Sequence, residues 1–232
     1  MRISKLSIVF LTVLTMGLGA QAQDDKKTSK ELRDAVDRIN DASAVINEVM
    51  RIDDKAIPRD LLNKAEAVVV FPGTVKAAFI VGGTGGSGIA IRRMGSGWSA
   101  PAFLKLAGGS IGAQIGGTKT DYVLLIMNDS GMKSLLQDKF EIGGEGSVAA
   151  GPVGRTAAAS TDIKLDAEIL TYSRSKGLFA GISLKGVVIS QDEKINQAIY
   201  QKSAKQILGD PPIAAADAPG TLQGLGATLS KY

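Results

Sequence analysis

The sequence predicts one α+β domain in which helices pack on a strongly bent antiparallel sheet, curled towards a barrel. Three observations carry this reading. Between Ala67 and Met127, short apolar runs rich in β-branched residues alternate with glycine clusters, the pattern of consecutive strands. Amphipathic helical periodicity falls before and after that stretch. The chain has 232 residues, 44% of them hydrophobic, enough for one domain with a substantial core.

Residues 1–22 read as an export signal. Arg2 and Lys5 are the basic start, Leu6 to Leu18 the apolar run, and Ala20-Gln21-Ala22 the small-residue site, so cleavage is predicted between Ala22 and Gln23. The run is shorter than the roughly 20 apolar residues a membrane span needs. No cysteine is present to take an N-terminal lipid, so the expected location is periplasmic or secreted. Residues 23–29 form a polar leader, and the domain is expected over 30–209. Thr28-Ser29-Lys30-Glu31 has capping-box spacing, which predicts a helix start there. Leu32, Val36, Ile39, Ile46 and Met50 continue it. Its outer face mixes Arg33, Asp34, Asp37, Arg38 and Asp41, which suits a helix packed on the sheet better than a membrane-surface helix. Ile57-Pro58 opens a second, short helix.

The strands of the central stretch follow. Glycine inside a strand marks a bulge or a close backbone approach, and Gly112 and Gly116 are expected at such a bend. Asn128 to Gly131 cap a helix over Met132–Lys139. A hairpin has arms Ala167–Ser173 and Leu178–Ile189, joined by Arg174-Ser175-Lys176-Gly177. Asp192 caps a last helix with Ile195, Ile199 and Ile207 inward. Residues 210–232, rich in Ala, Gly and Pro, are expected to be a flexible tail.

Composition removes several functions. A net charge of +4, spread along the chain, does not suggest nucleic-acid binding and is compatible with an anionic membrane surface. There is no cysteine and no histidine. Disulfides, thiol nucleophiles, the commonest general base and most zinc sites go with them, and no metal or other cofactor is expected. Gly83 to Gly88 match G-x-G-x-x-G. However, Ile89-Ala90-Ile91-Arg92-Arg93 continues as a strand and no acid follows until Asp121, so no nucleotide is expected. Ser173 and Lys176 have S-x-x-K spacing without the companion S-D-N and K-T-G elements of acyl-transfer enzymes. The carboxylates Glu141, Glu145, Asp162, Asp166 and Glu168 form no calcium loop. The chain therefore reads as no enzyme, with catalytic residues none. Arg92, Arg93, Arg174 and Lys176 flank predicted turns, where side chains can reach an anionic surface, but read from the residues alone they make a solvated rim.

The chain resembles the SYLF domain family of lipid-binding proteins. The carriers are Ile57-Pro58, Ala65 to Pro72, Gly97-Trp98-Ser99-Ala100-Pro101-Ala102-Phe103, Gly109 to Gly116, Gly151 to Arg155, and Tyr172-Ser173-Arg174-Ser175-Lys176-Gly177-Leu178-Phe179-Ala180-Gly181. The resemblance implies binding of phospholipids, phosphoinositides in particular, without catalysis. Some eukaryotic members also bind actin. An exported chain with no attached SH3 or FYVE module does not inherit that role. The expected function is a phospholipid-binding protein of the cell envelope, and with that resemblance some of Arg92, Arg93, Arg174 and Lys176 are expected to converge on one rim and contact anionic phosphate. The alternative is a structural or protein-interaction module with no lipid ligand.

Overall fold

The computed structural model describes residues 6–52, 56–78, 81–111, 116–144, 147–154, 167–182, 184 and 186–232. At 6–27, 77–78, 81, 110–111 and 116–117 it describes the backbone alone. Gly112, Arg155, Asp162 and Asp166 lie outside the described residues, and Gly116 opens a strand whose first residues are backbone only.

Helix α1 (Leu6–Met50) and the short α2 (Arg59–Lys64) precede the strands β1 (Ala67–Ala78), β2 (Val81–Arg92), β3 (Ala102–Ile111) and β4 (Gly116–Ile126). Then come α3 (Asp129–Leu135), β5 (Lys139–Ile142), β6 (Val148–Ala150), β7 (Ile169–Ser175), β8 (Leu178–Gly181) and β9 (Val187–Gln191). The chain ends with α4 (Glu193–Tyr200), α5 (Ala204–Leu208), two 3-10 turns (Ala215–Asp217 and Gly220–Leu222) and α6 (Gly224–Leu229). The nine strands among the described residues form one curled sheet in the order β5-β9-β3-β2-β1-β4-β7-β6, with β8 also on β7. All pairs are antiparallel except β6 with β7.

Both faces of the sheet are covered. That is why Ala67 to Phe71 is continuously apolar rather than alternating. Val68, Val70, Ile89, Val123 and Leu125 pack against Ile39, Ile46 and Val49 of α1. Val69, Phe71, Leu104, Leu124 and Ile126 pack on the other side against Met132 and Leu135 of α3 and Ile207 and Leu208 of α5.

Five expectations need correction. The last helix, expected to be capped by Asp192 and to run through Ile207, is two: α4 ends at Tyr200 with Gln201 left-handed at φ +53°, Ser203 caps α5, and Asp192 makes no side-chain cap bond. Helix α1 does not start at Thr28 but runs through it from Leu6. Glu31 is buried and bonded to Lys194 Nζ at 2.7 Å instead of reaching back to cap. The helix after Asn128 ends at Leu135, and Lys139 already belongs to β5. The long second arm of the hairpin splits: β8 stays on β7, whereas β9 lies between β5 and β3. Residues 210–232 are no flexible tail. Leu222, Leu225 and Leu229 are buried in the α1 core, and the Tyr232 hydroxyl donates to Asn47 Oδ1 at 3.1 Å. The spacing of those leucines puts them on one side of the terminal turns, and this apolar stripe outweighs the Ala/Gly/Pro composition.

Among the described residues, two buried side chains tie the helices to β3. Asp192 forms ion pairs with Arg38 at 2.9 Å and with Lys105 at 3.1 Å. Asn196 bonds Phe103 through both ends of its amide, each at 2.9 Å. It takes the place of a strand where β9 stops pairing, so the backbone groups of Phe103 stay satisfied.

Candidate functional site

β1 is bent in Phe71-Pro72-Gly73-Thr74. From Phe71 to Thr74 it advances three residues while β4 goes from Tyr122 to Thr120, so β1 carries one extra residue. Gly73 has φ +57°, the left-handed conformation that such bulges give to glycine. Its N–H donates to Asp121 Oδ1 at 2.7 Å. Beyond the bulge Thr74 is buried and Val75 is 45% exposed.

The β7–β8 hairpin lies towards the same end of the sheet. Lys176 and Gly177 have φ +49° and +79°, the two positive values that a type I′ turn requires. Ser175 sits opposite Leu178, and Leu178 is 74% exposed. Val75 and Leu178 are the exposed large apolar side chains among the described residues. Three exposed lysines accompany them. Lys119 is directly opposite Val75, Lys76 follows Val75, and Lys176 stands in the turn. None of the three has an ion-pair partner among the described residues. The Ser175 hydroxyl donates to the Lys119 carbonyl at 3.4 Å, joining hairpin to β4. Strand alternation puts Val75 and Lys119 on the α1 face and Lys76 and Leu178 on the other, so the cluster wraps the rim.

The hairpin is firmly mounted. Phe179 stacks on Tyr172 with ring centroids 5.5 Å apart. Arg174 donates to Asp121 Oδ2 at 2.9 and 2.7 Å and pairs with Glu48 near the end of α1. Burial pushes the Asp121 carboxyl up, the Gly73 N–H holds it back, and Asp41 adds to the rise. Burial also pushes the Tyr172 phenol well above its ordinary value.

The four basic residues divide between the two ends of the sheet: Arg174 and Lys176 share the β7–β8 hairpin, and Arg92 and Arg93 lie at the other end. Arg92 lies level with Ala67, which is level with Ile126 and Ile169. Arg174 is five residues further along β7, roughly 17 Å away in strand length. Arg92 donates to the Leu208 and Gly209 carbonyls at 3.1 and 2.7 Å. Arg93 donates to the Ala65 and Leu62 carbonyls at 2.9 and 2.7 Å, closing the end of α2, and lies 4.2 Å over the Trp98 ring. Arg174 is spent on carboxylates. Lys176 alone of the four is exposed and unpaired. Val75, Lys76 and Leu178 were not among the sequence candidates. Pro72-Gly73 was the available signal for the first two, and Lys-Gly as a two-residue turn for the third.

A groove of about 820 Å³ lies beside α4, but its lysines, Lys105 and Lys194, are bound to Asp192 and Glu31. No cluster of three or more metal-ligating side chains occurs among the described residues.

The fold and the rim define a class: a helix-clasped, curled-sheet domain with three exposed, unpaired lysines and two exposed apolar side chains at one end of the sheet. Residues 107–232 match the family model Ysc84, described as Las17-binding protein actin regulator. The chain belongs to this Ysc84, or SYLF, family. It is similar to LAS seventeen-binding protein 3 of Saccharomyces cerevisiae, 37% identical over 161 residues, 67% of this chain and 35% of that protein. It is also similar to SH3 domain-containing YSC84-like protein 1. The Rattus norvegicus form is 33% identical over 184 residues, covering 77% of this chain and 54% of that protein. The Homo sapiens form is 33% identical over 164 residues, covering 68% and 48%. The chain thus spans about a third to a half of the length of these relatives.

Proposed function

We propose that this chain is an exported, non-enzymatic protein of the cell envelope that binds anionic phospholipid surfaces. The observation that carries the reading is the rim itself: Lys76, Lys119 and Lys176, unpaired, around the exposed Val75 and Leu178. A lysine near an anionic bilayer contributes roughly 1 kcal/mol, so three contribute about 3 kcal/mol. Burying a leucine side chain adds about 1.5–3 kcal/mol. Attachment of that strength is weak and reversible. Export rests on Arg2, Lys5, the apolar run Leu6–Leu18 and Ala20-Gln21-Ala22. Cleavage after Ala22 leaves the buried residues of α1 from Glu31 onward in place.

A second reading, a protein-interaction module, is favoured by the names of the relatives, which refer to Las17 binding. The rim argues against it. Energetic centres of protein interfaces are rich in Trp, Tyr and Arg and poor in Lys. This rim has exposed lysines and, among its described residues, no exposed aromatic side chain, Phe179 and Tyr172 being buried beneath it.

The test is co-sedimentation of residues 23–232 with vesicles of phosphatidylcholine alone or mixed with phosphatidylglycerol or a phosphoinositide. Binding is expected only with the anionic mixtures, and it should weaken as salt rises and the Debye length falls below about 10 Å. Absence of binding to every mixture overturns the lipid reading and leaves the protein-interaction one.

A further inference from the structure

We infer that the Lys176-Gly177 hairpin enters the bilayer interface, with Leu178 as its apolar anchor; this rests on the phospholipid reading above. A single exposed leucine on a protein surface needs no explanation. Leu178 differs in its setting and its mounting. It stands two residues from Lys176 and on the same end of the sheet as Lys119 and Lys76, all free of ion-pair partners among the described residues. Val75, the other exposed large apolar side chain, lies three strands away on β1, roughly 14 Å in strand spacing. An apolar side chain with one cation two residues away and two more along the same end of the sheet fits a surface whose phosphates lie just above its hydrocarbon. Lysine stems run along the apolar layer while the ammonium groups stay at head-group level.

The mounting makes the anchor rigid before contact. Beneath the turn Phe179, 5% exposed, stacks on fully buried Tyr172. Arg174, beside the turn, bonds Asp121 on β4 and Glu48 on α1. The type I′ turn has no spare residue to flex. Little ordering entropy is left to lose when Leu178 leaves water, so its burial counts almost fully towards binding.

The test uses Leu178→Trp and Ser96→Trp in the whole chain. Ser96 lies in the exposed loop after Arg92, at the other end of the sheet. The natural Trp98 is 6% exposed and serves as a constant background. With anionic vesicles containing brominated acyl chains, the indole introduced at position 178 should shift blue and be quenched, and the one at 96 should not. Leu178→Ala should weaken vesicle binding by about ten-fold with an unchanged denaturation midpoint. Vesicle binding without quenching at 178, or undiminished in Leu178→Ala, overturns the anchor and leaves the lipid reading standing. If the parent chain binds no vesicle at all, both fall.

Discussion

Replacing Asp192 with asparagine removes the charge that joins three elements while keeping the side chain's shape. The carboxylate is 2% exposed and meets Arg38 of α1 at 2.9 Å and Lys105 of β3 at 3.1 Å, from the residue just before α4. The two cations differ. Lys105 is 51% exposed, so its share is that of a surface pair, under about 1 kcal/mol. Arg38 is 18% exposed, and stranding a buried partner costs about 3–5 kcal/mol. Partial rehydration of Arg38 lowers that figure, so the expected total is about 2–4 kcal/mol. Domains are stable by about 5–15 kcal/mol, so the loss is a large fraction. Urea unfolding should show a lower midpoint at unchanged slope. In a double-mutant cycle with Arg38→Met, most of the loss should appear as coupling between the two sites. A loss under about 0.5 kcal/mol, or no coupling, would refute the claim that Asp192 holds α1 to the sheet.

Three further outcomes are expected. Leu225→Ala, at a fully buried position, should cost about 2–5 kcal/mol in urea unfolding; no cost would return residues 210–232 to a loose tail. Gly88→Val should cost about 1–3 kcal/mol, because a Cβ there falls on the Phe71 ring and 2.7 Å from the Val70 carbonyl; an unchanged midpoint would show that β2 shifts freely. Burial raises the Glu66 carboxyl pKa above its ordinary value, Asp129 adds to this, and Arg92 offsets part. A raised folded pKa means that the charged form costs stability above it, and that the cost fades as pH falls below the unfolded value. Glu66→Gln should therefore be more stable than the parent at neutral pH and lose that advantage on acidification; a difference independent of pH contradicts the assignment.

Much of the fold was legible because it rests on local pattern. The runs Ala67–Phe71 and Tyr122–Met127 are β-rich and apolar, and both lie at the centre of the sheet. The G-x-G-x-x-G match continues into Ile89-Ala90-Ile91, and those glycines sit inside one strand. What failed was non-local. Val187-Val188-Ile189 suits a strand beside any neighbour, and nothing in it selects β3 and β5 over β7. Asp192 and Glu31 occupy positions typical of caps, so their partners on distant elements were not readable. At the site, Lys176 was legible from its turn. Arg92 and Arg93 misled because a basic pair beside a turn looks the same whether it faces water or bonds carbonyls of α2 and α5. Val75 and Lys76 depend on the Gly73 bulge, which decides which side of β1 each residue faces.

The central claim is that unpaired lysines at one rim of the sheet hold an anionic bilayer. Its most direct test compares the parent with the Lys76→Gln, Lys119→Gln, Lys176→Gln triple variant on phosphatidylglycerol-containing vesicles at near-physiological salt. At roughly 1 kcal/mol per lysine, affinity should fall by about a hundred-fold, with the urea midpoint unchanged because all three side chains are exposed. A folded triple variant that binds these vesicles as tightly as the parent would contradict the account.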